Sequence, residues 1–140
     1  MGTKSGNFTK SWHMEVGINN VASYQVSGQP YASGSISATT AKKIEFPYVT
    51  RWVQVYNHGS SDVKVGFSKT GVEGDNYFRI AAPAAGDNPS SARLELKVSE
   101  LWLSGSSNNG IDVVAGLTTI IPDRTTTDHG TSWSGSVGVG

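Results

Sequence analysis

The chain has 140 residues, which is enough for one domain of ordinary size built around a single core. Eleven Lys and Arg residues balance eleven Asp and Glu residues, so the composition provides no broad attraction to nucleic acid or to an anionic membrane. The sequence contains no Cys, which excludes disulfides, thiolate metal sites and thiol nucleophiles.

No apolar run approaches the roughly 20 residues of a membrane span. The first ten residues also lack the apolar middle of a signal peptide. We therefore expect the protein to be made and kept in a cytosol-like compartment, or to be released from it by lysis.

Hydrophobic residues alternate with polar ones in short stretches along the chain, which predicts strands with one buried face. The first stretch is Ser11–Ile18, and weaker stretches follow at Val21–Val26 and Ser35–Ile36. Residues 1–33 are therefore predicted to form an N-terminal arm or edge strands.

The middle of the chain predicts two hairpins. The strand that contains Val53 and Val55 is separated from Val63–Phe67 by the five-residue loop Asn57–Ser61. A second hairpin is predicted between Leu101–Leu103 and Ile111–Leu117, across a Ser-, Asn- and Gly-rich turn.

Between these two hairpins, a polar loop at Lys69–Asn76 leads to a short predicted strand, Tyr77–Ile80. A surface connection containing two prolines follows. The next alternating stretch is Leu94–Val98, after which the phase of the alternation changes near Ser99–Glu100, as expected at a bulge or bend.

About eight short strands, with turn signals between them and no amphipathic helical stripe, predict an all-β fold. We expect an antiparallel β-sandwich or jelly roll over residues 34–122. Residues 123–140 are rich in Gly, Ser and Thr, and we expect them to form a flexible C-terminal tail. The predicted core residues are Ile44, Phe46, Val53, Val55, Val63, Val65, Phe67, Leu94, Leu96, Val98, Ile111, Val113 and Leu117.

The pattern of polar residues does not indicate catalysis. The three histidines share no ligand spacing, and Glu73 with Asp75 supplies too few ligands for a calcium site. Glu95 and Glu100 lie along one stretch and do not face each other as a glycosidase pair would. We therefore expect no enzymatic activity, no catalytic residues, no metal site and no cofactor.

The large aromatic residues indicate contact surfaces. Trp52 and Tyr56 lie on the strand face opposite Val53 and Val55, so another layer is expected to cover them. That layer is either the N-terminal segment folded back on its own sandwich or a neighbouring subunit. The candidate partner-binding residues are Trp12, Tyr24, Tyr31, Trp52, Tyr56 and Trp133. An alternative use of exposed rings is to stack on sugars, and the candidates for that use are Tyr77 and Trp102.

Five segments resemble a known class of proteins: Tyr24–Tyr31 (YQVSGQPY), Ile44–Thr50 (IEFPYVT), Val65–Ser68 (VGFS), Leu101–Ser104 (LWLS) and Val114–Thr118 (VAGLT). They are similar to small virion proteins of tailed bacteriophages, of the capsid decoration or cement type. The likeness extends from Val21 to Ile121.

The resemblance implies a sandwich or jelly roll that binds the outside of an icosahedral head and fastens neighbouring capsomers. The implied partners are the major capsid protein and further copies of this chain, as a trimer or a dimer, of which we expect the homotrimer. From the charge balance we expect no nucleic-acid partner and no membrane. The implied location is the capsid surface of the virion, after synthesis in the host cytoplasm. The alternatives are a glycan-binding module of a virion surface fibre and a ring component of the tail or neck.

Overall fold

The computed structural model describes residues 28–84, 87, 89–105 and 109–140. Its strands form two antiparallel sheets, and helix is confined to two short segments of the described residues, so the prediction of an all-β fold is confirmed. Sheet A has the order β1-β7-β3, with bounds Gln29–Ile36, Ile111–Leu117 and Thr50–Asn57. Sheet B has the order β2-β6-β4-β5, with bounds Lys42–Glu45, Glu100–Ser104, Val63–Gly66 and Tyr77–Ile80.

The first half of the chain pairs with the second half in reverse order. Strand β4 pairs with β5, β2 with β6, and β1 with β7. The remaining strand of the first half, β3, lies between β7 and the extended segment 89–98. The pairs are therefore nested inside one another, with the connection from β4 to β5 at the centre.

The segment 89–98 runs antiparallel to β3 without forming a regular strand. The Leu94 and Val53 backbones exchange two hydrogen bonds, of 2.8 and 2.9 Å. Elsewhere the ladder is interrupted, because Pro89 has no N–H and because the Ser91 side chain accepts the Val55 N–H at 3.0 Å. The predicted strand at Leu94–Val98 is therefore an irregular edge, joined to β3 by isolated bridges.

The two predicted hairpins are wrong. Strand β3 lies in sheet A and β4 in sheet B, and likewise β6 lies in sheet B and β7 in sheet A. Each pair of strands faces the same core from opposite sheets, and such strands show the same alternation of hydrophobic residues as the two strands of a hairpin. The chain after β3, which was predicted to turn at Asn57–Ser61 within one sheet, therefore crosses from sheet A to sheet B.

The loop predicted at Lys69–Asn76 contains the short helix α1 (Lys69–Glu73). The Ser68 hydroxyl caps this helix by accepting a hydrogen bond from the Gly71 N–H at 2.9 Å. The second helical segment is a 3-10 helix, Pro122–Thr125.

The core lies between the two sheets and consists mainly of Val, Leu and Ile from alternating strand positions. Of the predicted core residues, Phe67, Leu94 and Leu96 are only partly buried, and the others are buried. Leu101 and Leu103 are also fully buried, because β6 begins at Glu100, after the change of phase.

The predicted arm lies mostly outside the described residues, including the stretches Ser11–Ile18 and Val21–Val26. Position 33, the predicted boundary between arm and sandwich, falls inside β1. Strand β1 is the edge of sheet A, and it is paired with β7 from Gln29 onwards.

Residues 123–140 differ from the predicted tail, because the structure shows them as turns bound to the body of the protein. Ser132 is fully buried, and its Oγ accepts the Ser99 N–H at 3.1 Å. The Ser99 and Thr125 hydroxyls lie 3.0 Å apart, and the backbone N–H of Trp133 donates to the Thr125 carbonyl at 2.8 Å. Small hydroxyl side chains thus fix the segment by hydrogen bonding, where the sequence offers little apolar area to bury.

We expect Leu103→Ala to lower the free energy of unfolding by about 2–5 kcal/mol, since it leaves a cavity between the sheets. The matched control is Val137→Ala, because Val137 is fully exposed and its removal creates no cavity. Urea unfolding followed by tryptophan fluorescence measures both variants. Equal stability of the two would contradict the assignment of Leu103 to the core.

Candidate functional site

The outer surface of sheet A carries two large aromatic side chains on one strand, Trp52 and Tyr56 of β3. On β3, Val53 and Val55 face the core, so Trp52, Gln54 and Tyr56 point to the opposite side. Their cross-strand partners on β7 are Gly116, Val114 and Asp112, beyond which lie Pro30 and Ala32 of β1. We call this surface the Trp52 face; it consists of Pro30, Ala32, Trp52, Gln54, Tyr56, Asp112, Val114 and Gly116.

Trp52 packs over its cross-strand neighbour Gly116, which has no side chain. A Cβ atom at Gly116 would come within 2.3 Å of the Trp52 Nε1, so only glycine leaves room for the indole. The Arg93 guanidinium carbon lies 5.2 Å from the centroid of the ring, a cation–π distance. Trp52 is thereby held in place between Gly116 and Arg93.

The other end of the Trp52 face is polar. The rings of Tyr56 and His58 are parallel, with centroids 6.2 Å apart, and the His58 Nε2 lies 3.3 Å from the Asp112 Oδ2. The other oxygen of Asp112 accepts the Ser35 N–H at 3.0 Å, which fixes the irregular end of β1 against β7. A shallow cavity of about 460 Å³ lies among these side chains and Val114.

Two of the predicted partner-binding residues pack against the protein's own core. Tyr31 meets Phe46 edge to face, with centroids 5.0 Å apart. Trp133 also packs against the core, and its Nε1–H donates to the Lys97 carbonyl. Trp52 and Tyr56 share the Trp52 face, whereas Trp12 and Tyr24 lie outside the described residues.

The two predicted sugar-stacking residues lie in one row on the outer surface of sheet B. The cross-strand order of the row is Lys43, Trp102, Gly66 and Tyr77. Helix α1 crosses above the row, and its Val72 side chain lies over Gly66. A Cβ atom added at Gly66 would lie 3.0 Å from the Val72 Cβ. Trp102 and Tyr77 are thereby separated and do not form one continuous platform.

Tyr77 is occupied by cationic side chains. The Lys64 Nζ lies 4.6 Å from its ring centroid and the Arg79 Cζ lies 5.3 Å from it. The Arg79 Nη2 also donates to the Tyr77 hydroxyl at 3.0 Å. These contacts cover Tyr77 with its neighbours on sheet B.

Trp102 lies in a groove of about 460 Å³ between α1 and the C-terminal turns, which we call the Trp102 groove. Polar side chains line it on both sides, among them Lys43, Lys69, Thr70, Glu100 and Thr131. Glu100 is 5% exposed. Its Oε2 accepts the Trp102 Nε1–H at 2.6 Å, and its Oε1 accepts the Thr131 hydroxyl at 2.7 Å. One carboxylate thus joins sheet B to the C-terminal turns.

The hydrogen bond between Glu100 and Trp102 was not predicted from the sequence, in which Glu100 was considered as a catalytic carboxylate. The signal for that connection is their spacing, because residues i and i+2 of a strand share one face. The contribution of Thr131 has no comparable signal, since it comes from a segment without periodicity.

Among the described residues, no three His, Asp or Glu side chains converge as a metal site would require. The same residues contain no helix that is long and apolar enough to cross a membrane. Comparison of the chain with protein-family models, with curated proteins and with solved structures finds no match.

We expect Glu100→Leu to lower the free energy of unfolding by about 1–3 kcal/mol, because it leaves the Trp102 and Thr131 donors without their acceptor. The control is Glu95→Leu, which removes a half-exposed carboxylate paired with Arg93 and is expected to change stability by about 0.5 kcal/mol or less. Chemical denaturation provides both values. Equal losses in the free energy of unfolding of the two variants would contradict the role of Glu100 in joining sheet B to the C-terminal turns.

Proposed function

We propose that this protein is a non-enzymatic structural component of a tailed-phage virion, of the capsid decoration or cement type. It binds the major capsid protein on the outer surface of the head and fastens neighbouring capsomers. The observation that carries the proposal is the Trp52 face, on which two large aromatic side chains of β3, Trp52 and Tyr56, point away from the core. The proposal assigns no catalytic step, cofactor, nucleic acid or membrane to the protein.

We also propose that the fold is a jelly roll, and the nested pairing supports this. If segment 89–98 is counted as a strand, eight strands form four nested antiparallel pairs, distributed over two sheets. Double-sheet jelly rolls of eight strands occur in viral capsid and lectin domains. The fold supports a place in a virion by analogy, and the Trp52 face supports it by its chemistry.

The chemistry of the Trp52 face suits a protein–protein contact. Trp, Tyr and Arg are the residues that most often dominate binding energy at interfaces, and Trp52, Tyr56 and Arg93 lie on or beside this face. An aromatic side chain buries about 150–250 Å², which at about 25 cal/mol per Å² contributes a few kcal/mol. One copy therefore binds weakly, and a homotrimer binding at several points multiplies the effect.

The proposal also gives the chain an N-terminal arm within residues 1–33 that contacts a neighbouring subunit or the shell. Support comes from β1, which is the edge of sheet A. An edge strand has unpaired backbone groups that can add to the sheet of a neighbour.

The test mixes the purified protein with phage heads that lack it and measures binding by co-sedimentation. We expect the double variant Trp52→Ala/Tyr56→Ala to bind about tenfold or more weakly, because both anchors of the Trp52 face are lost. The matched control is Tyr77→Ala, which removes a ring from the outer surface of sheet B. Circular dichroism confirms that each variant is folded.

Two outcomes contradict the proposal: wild-type protein that does not bind the heads, and a folded double variant that binds them as tightly as wild type. A deletion of residues 1–20 tests the arm separately. Undiminished binding by this deletion removes the arm from the mechanism.

A further inference from the structure

We propose that the Trp102 groove is a saccharide-binding site, separate from the Trp52 face. One sugar residue would stack on the Trp102 ring and hydrogen-bond to the side chains at the rim of the groove. Tyr77 takes no part, because Val72 of α1 lies over Gly66 between Tyr77 and Trp102.

The Trp102 ring is held in a fixed orientation. Its Nε1–H donates to Glu100, whose other oxygen is bound by Thr131, so the indole is anchored at its polar edge. The ring is partly exposed and forms part of the lining of the groove. An aromatic face carries partial negative charge, which suits the electropositive C–H groups of a sugar ring. Because the ring is already oriented, binding does not have to order it.

The polar groups match the hydroxyls of a sugar. Glu100 uses one acceptor site on each oxygen for Trp102 and Thr131, and each carboxylate oxygen has a second lone pair. Lys69 and Thr70 are exposed on α1 and contribute an ammonium and a hydroxyl group to the groove. Lys43 adds a second ammonium group, with its Nζ 6.0 Å from the Trp102 centroid. Donors and acceptors therefore surround one hydrophobic platform.

The size of the groove agrees with this class of ligand. Its volume of about 460 Å³ lies within the range of about 300–1,000 Å³ that is usual for small-molecule sites. Two different parts of the chain form its walls, namely α1 and the turns after residue 128. The Ser68 hydroxyl shares its one proton between the Val139 and Gly140 carbonyls, at 2.8 and 3.0 Å, and this bifurcated hydrogen bond holds the walls together.

The experiment screens the wild-type protein on an array of neutral and acidic glycans and then measures the affinity of any glycan bound by NMR titration. We expect Trp102→Ala to weaken binding about tenfold or more, because the stacking platform is lost. We expect Thr70→Arg to have a similar effect, because a long side chain on exposed α1 fills the groove without touching the core. Trp52→Ala, on the other sheet, is expected to bind with unchanged affinity.

Thr70→Arg keeps the test decisive even if Trp102→Ala fails to fold, because position 70 is exposed. Loss of glycan binding in Thr70→Arg, together with retention in Trp52→Ala, supports the proposal. It is overturned if wild-type protein binds no glycan at millimolar concentration, or if Thr70→Arg binds the selected glycan as tightly as wild type does.

Discussion

The nested backbone pairing of the two halves of the chain determines the positions of all other features. Further pairing joins β3 to β7 in one sheet and β4 to β6 in the other, so that their alternating apolar residues meet in a single core. The same pairing turns the remaining residues of each strand outward. The Trp52 face and the Trp102 groove are therefore two consequences of one arrangement, on opposite sides of the sandwich.

Hydrogen bonding adds to hydrophobic burial in holding the C-terminal turns against the body of the protein. Charged residues make up only 16% of the chain, and the C-terminal turns contain many hydroxyl side chains. Ser132 and Thr125 are fully buried, and both bind Ser99, the residue before β6. Glu100 then joins Trp102 to Thr131. Since a buried donor or acceptor without a partner costs about 1–3 kcal/mol, such a network specifies one position for the segment.

Alternation in the sequence predicted most of the strands and their faces, because the side-chain period of a strand depends only on local geometry. Strand β1 was predicted only at Ser35–Ile36, because the rest of Gln29–Ile36 does not alternate between apolar and polar residues. Val53 and Val55 are buried and Trp52 points outward, as this pattern predicts. Alternation cannot assign a strand to a sheet, which is why the two hairpins were wrong. Nor could it place Trp133 or the passage of α1 over Gly66, because these depend on tertiary contacts between segments without periodicity.

We propose that the Trp52 face contacts another protein subunit on the surface of a phage head. A density map of a phage particle assembled with this chain would test this proposal. We expect separate density for the chain on the outside of the head, with Trp52 and Tyr56 against another protein subunit. Density in which these two rings face solvent, or a location away from the head, would contradict it.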